Sequence, residues 1–97
     1  MAGGENQRID KWLFFARIAK SRSLAAKFIT LGQVRVNRAR LVKPAAEVGT
    51  GDIVTVALHG HVRVLKVLSF SSRRGPASQA ELLYEDLGAA QKHVPKP

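Results

Sequence analysis

The stretch RIDKWLFFARIAKSRSLAAKFITLGQVRVN, residues 8–37, decides the fold, because a helical period gives way within it to strand alternation. Ile9, Trp12, Leu13 and Ala16 recur at the spacing of one helix face, and Phe14, Phe15 and Ile18 widen that surface beyond a stripe. A well-buried helix over residues 11–20 is expected, with Asp10 placed to cap its first amides. KSRS, residues 20–23, makes a short basic corner. A second helix over residues 22–31, capped by Ser21 or Ser23, would pack Leu24, Ala25, Phe28 and Ile29 against the first. Gly32 supplies the permissive backbone of its C-cap. QVRVN, residues 33–37, then alternates, with Val34 and Val36 on one side and Gln33, Arg35 and Asn37 on the other, as in a strand with one inward face.

Outward from this stretch the signals are shorter. Residues 1–7 are small and polar and read as a flexible, frayed terminus. Residues 38–40 read as a turn and 41–43 as a second short strand ended by Pro44. VGTGD, residues 48–52, is a tight turn leading into the strand IVTVAL, residues 53–58. After HGH comes a further strand, VRVLKVLSF, residues 62–70; neither strand alternates cleanly enough to say which side faces in. SSRRGP is a loop, and Ser78 with Glu81 has the spacing of a capping box. Leu83, Leu87 and Ala90 would share one face of the short helix that follows, and residues 92–97 form a loose tail. The expected class is α+β, with two N-terminal helices packed on a small, mainly antiparallel sheet and a short C-terminal helix.

Composition narrows function. With 97 residues there is enough chain for one domain, and a catalytic domain with a closed pocket is not expected. The absence of cysteine excludes disulfide scaffolds, thiolate metal sites and cysteine nucleophiles. The longest apolar run, WLFFA at residues 12–16, falls far short of the roughly 20 residues that cross a bilayer. No membrane partner and a cytoplasmic location are expected. The net charge of +9 indicates a polyanionic partner. That charge is local: residues 8–43 hold ten Lys or Arg and one acid, Asp10, whereas residues 77–91 hold three acids and no base. Nucleic-acid contact therefore belongs mainly to the first half.

No enzymatic constellation is present. Asp10 and Asp52 have capping and turn roles, the serines lack a His and acid partner, and VGTGD is too short for a phosphate-binding loop. His59 and His61 flank Gly60 without a third ligand, so a turn explains them better than a metal. Neither cofactor nor metal is expected. Trp12, Phe14, Phe15, Phe28 and Phe70 are read as core rather than as stacking platforms, while Tyr84 is left open.

The order of basic helix, SRS corner, second helix, glycine, VRVN strand, RLVKPAAEV and GTGDIV resembles the S4 RNA-binding domain over residues 8–58. RRGPASQAELLYEDL, residues 73–87, resembles the extension carried by the heat shock protein 15 family, here a strand and helix over residues 59–91 packed on the same core. The resemblance implies an S4-like (alpha-L) fold and a small, non-enzymatic, cytoplasmic bacterial protein. It implies binding to ribosomal RNA on the large ribosomal subunit. The expected targets are free subunits still carrying a nascent chain on tRNA, during recovery of stalled translation under heat stress. Some members continue with a longer basic tail.

The resemblance places RNA contacts at Arg8, Lys11, Arg17, Ser21, Arg22, Lys27, Gln33, Arg35, Asn37 and Arg38, with Arg73 and Arg74 as an extension of that surface. Part of this has an independent physical basis. The start of the second helix offers free amides, Ser21 a hydroxyl, and Arg22 a guanidinium able to fork onto a phosphate. A rigid basic corner suits phosphates, 2′-hydroxyls and folded junctions better than base sequence. Arg17 lies about 180° around an ideal helix from Arg8, so the two cannot face one flat ligand; capping a neighbouring carbonyl is its alternative. Three function classes stay open: the large-subunit binder, a generic structured-RNA binder or RNA chaperone, and a DNA-associated basic protein, with RNA favoured over DNA. A monomer is expected.

Overall fold

Both N-terminal helices form, and each ends in the same backbone motif. The computed structural model describes residues 6–37, 39–40, 43–58 and 60–87. The first helix, α1, is Ile9–Phe15. It is shorter than its apolar pattern, because Arg17 takes a left-handed φ of 61° and turns the chain out of the helix. The Arg17 amide then bonds the Phe14 carbonyl and the Ile18 amide bonds Leu13, which closes a Schellman turn. The second helix, α2, is Arg22–Thr30, with the Ser21 hydroxyl accepting from the Leu24 amide at 3.1 Å as expected of an N-cap. Gly32, at φ 80°, ends it through Gly32 to Ile29 and Gln33 to Phe28 bonds, the same motif with the residue that adopts it most readily.

The strands are β1 (Asn6–Arg8), β2 (Val34–Val36), β3 (Ala39–Arg40), β4 (Glu47–Gly49), β5 (Ile53–Leu58), β6 (His61–Val67) and β7 (Tyr84–Asp86). β1 and β4 form an antiparallel pair, and the others make one antiparallel sheet in the order β3-β2-β5-β6-β7. Val34, Val54, Val56, Leu65 and Val67 point inward and are fully buried against Ile9, Trp12 and Leu13 of α1 and Ala25 and Ile29 of α2. This settles the facing of β5 and β6, which local alternation leaves undetermined. Trp12 is fully enclosed, donates from Nε1 to the Ser69 carbonyl at 3.2 Å, and meets Tyr84 edge-on. Phe15, Phe28, Phe70 and Tyr84 pack on the core rim.

Three local expectations are corrected. Residues 6 and 7 do not fray: they pair with Gly49 and Val48, and the Gln7 amide donates to the Ser71 carbonyl. Ala39 and Arg40 form β3 where a turn was expected; residues 38, 41 and 42 of that turn and strand lie outside the described residues. The C-terminal helix α3 is one turn, Ala77–Ala80, continued by a 3-10 turn at Glu81–Leu83. Its N-cap is Pro76, with no side-chain cap, so the Ser78 and Glu81 capping box does not form. The chain then becomes β7, because the free edge of β6 offers Tyr84–Asp86 a ladder that a short isolated helix cannot match. Leu87 therefore does not continue a helix, and Ala90, His59 and residues 92–97 lie outside the described residues. No helix among the described residues is long and apolar enough to cross a membrane.

Candidate nucleic-acid interface

The corner between β1, α1 and α2 is organised around one buried acid. Asp10 is not the N-cap expected of it: α1 starts at Ile9 with Arg8 at the N-cap and no side-chain cap, and Asp10 lies within the first turn, where its Oδ1 accepts the Lys11 amide at 2.8 Å. The first free amides of α1 are met from elsewhere, Ile9 by the Ala46 carbonyl and Asp10 by Pro44. This leaves the Asp10 carboxylate free to accept Arg8 through Nε at 3.1 Å and Nη2 at 2.9 Å. Arg22 Nη2 lies 3.5 Å from the same Oδ2. The carboxylate side chain is 6% exposed, while the two arginine side chains stay 42% and 46% exposed. Two guanidiniums thus share a buried anion and keep outward donors. Sequence reasoning named both arginines and missed the link, although Asp10 is the one acid in the basic stretch.

Ser21 lies beside Arg22 and caps α2, and Lys27 is exposed farther along that helix, about 140° around from Arg22. Lys11 is half-buried. Gln33 and Arg35 line a recess of about 280 Å³ with Gly32, Thr55, Ala57 and Val62. Arg35 stands opposite Thr55 in the ladder, on the outer sheet face away from the core. Asn37 has a turn role: at φ 52°, its Oδ1 accepts the Ile53 amide and its Nδ2 donates to Asp52. Asp52 also accepts the Gly49 amide, which closes the VGTGD turn as expected. Arg38 lies outside the described residues.

Three further arginines, Arg17, Arg63 and Arg74, are engaged within the fold. Arg17 Nη1 donates to the Gly75 carbonyl at 3.0 Å, the carbonyl-capping alternative for this position. Arg74 Nε donates to the Phe14 carbonyl and its guanidinium lies over that ring, 4.9 Å from the centroid. Arg73 is exposed. Arg63 pairs with Asp86 at 3.0 Å and lies over Tyr84. Partial burial lowers its pKa, but bonding to Asp86 and Tyr84 outweighs that and raises it above the ordinary arginine value.

The helix corner, the following strand and the glycine turn define an S4-domain protein: the S4 domain family model matches residues 7–54. A solved structure of heat shock protein 15 from Vibrio cholerae, described as trimeric, superposes with a TM-score of 0.82 at 32% identity, covering 91% of this chain and 88% of that one. The heat shock protein 15 homolog of Aeromonas salmonicida is 41% identical over 85 residues, covering 88% of this chain and 64% of its own. Heat shock protein 15 of Escherichia coli K12 is 39% identical over 79 residues, covering 81% and 59%. The chain belongs to the heat shock protein 15 family. It spans about three fifths of the length of these curated relatives.

Proposed function

We propose that the protein is a non-enzymatic, cytoplasmic RNA-binding protein that docks on ribosomal RNA of the large ribosomal subunit. Its targets are free subunits carrying a nascent chain on tRNA, in the recovery of stalled translation under heat stress. The observation that carries the RNA reading is the Arg8 and Arg22 pair on Asp10, at the corner between α1 and α2 of an S4 domain. Such a pair grips backbone phosphate, and Lys27 and Arg35, exposed elsewhere on the fold, add to its positive charge. Family membership supports ribosome association. Nucleic-acid shape rather than base identity is what such a rigid corner reads.

Sedimentation tests this. The protein should travel preferentially with free large subunits bearing peptidyl-tRNA, and equal recovery with bare RNA or with DNA would overturn the ribosomal reading in favour of a generic RNA or DNA binder. Crosslinking in cells, followed by identification of the attached RNA position, locates the site. The Vibrio cholerae relative was solved as a trimer, so analytical ultracentrifugation of this chain decides the expected monomer against that assembly.

A further inference from the structure

We infer that Asp10 is a positioning residue that holds Arg8 and Arg22 as a two-armed clamp for a single RNA backbone phosphate, an inference that rests on the RNA-binding reading above. Two guanidiniums on different elements repel each other and carry long, mobile stems. In this fold they converge because one oxygen, Oδ2 of Asp10, takes Arg8 Nη2 at 2.9 Å and Arg22 Nη2 at 3.5 Å. The two nitrogens therefore lie no farther apart than the sum of those distances, close enough for both to reach the oxygens of one phosphate. The carboxylate is itself buried, hydrogen-bonded by Arg8 and the Lys11 amide and ion-paired with Arg22, so it is shielded from the ligand. Each guanidinium has five N–H donors, and the Arg8 bonds and the Arg22 ion pair to Asp10 leave the exposed side of both side chains to bind. Pre-ordering the arms removes part of the entropy that binding would otherwise cost.

Charge alone predicts the opposite effect of losing Asp10. Asp10→Asn makes the chain more basic by one, and a protein held only by its field would bind polyanions more tightly. A clamp loses its spacer and binds more weakly. The expected result, measured with isolated large subunits and with deproteinised large-subunit RNA below the melting temperature, is about a tenfold loss for D10N. The slope of log K against log salt should also shrink by about one phosphate contact, a change that mere destabilisation does not produce. Glu81→Gln, with the same charge change on an exposed residue, should bind no more weakly than wild type. Arg22→Lys keeps the charge without the fork and should match the loss; if D10N does not fold, this variant carries the test. Wild-type binding with D10N, or with R22K, as tight as wild type overturns the clamp and leaves the RNA reading standing. Failure of the wild type to bind either probe overturns that reading itself.

Discussion

Arg74 reaches back 60 positions to donate from Nε to the carbonyl of Phe14 at 3.1 Å while its guanidinium covers the Phe14 ring. The Phe14 carbonyl lies at the C-terminal end of α1, where a cation is favoured by the helix dipole. Together with Arg17 to Gly75, this contact fastens the RRGP loop to the S4 helices. Arg74→Ala should destabilise the protein by about 2 kcal/mol, from a charge-assisted bond and a cation–π contact. Urea unfolding measures this, and RNA affinity should fall less than for Arg22→Ala. Arg73→Ala, at an exposed position, should stay within about 0.5 kcal/mol.

Trp12→Ala should cost about 3–5 kcal/mol, since it empties the centre of the core and strands the Ser69 carbonyl. The single tryptophan reports on its own site: the wild-type emission should be blue-shifted and move to the red on unfolding. Thermal melting by circular dichroism compares the two chains.

Ser21→Ala removes the hydroxyl that accepts the Leu24 amide and should cost about 1 kcal/mol. Ser23→Ala, within α2, should cost less. Equal losses in chemical denaturation would contradict the assignment of Ser21 as the cap.

Gly32 and Arg17 occupy the same place in two Schellman turns. Gly32→Ala should therefore destabilise by about 1–2 kcal/mol, the cost of a Cβ in left-handed backbone. Arg17→Gly should be close to neutral, because relief of that strain offsets the lost bond to Gly75. Differential scanning calorimetry of both variants checks the pair.

Arg35→Glu should weaken large-subunit binding by at least tenfold and flatten its salt dependence while leaving the melting temperature nearly unchanged, because Arg35 is exposed on the outer sheet face. Unchanged binding would remove the sheet recess from the interface.

What local chemistry dictates was legible in the sequence. Ser21 and Gly32 bracket α2 through side-chain capping and glycine backbone, Val34 and Val36 alternate, and Asp52 closes its turn, each through neighbours a few residues away. The basic stretch over residues 8–43 and its Arg8 and Arg22 could be named from composition and resemblance. Only the tertiary structure decided the rest, because its causes lie far along the chain. Arg17, a residue with no turn preference, ends α1 early and bonds Gly75; Gln7 is drawn into β1 by β4 and Ser71; and Tyr84–Asp86 leaves helix for strand because β6 has an open edge. Asp10 shows the same division. Its charge and its place at a helix start are local facts, but its burial between Arg8 and Arg22 requires α2 to fold back over α1, and only that packing brings two separate arginines onto one carboxylate.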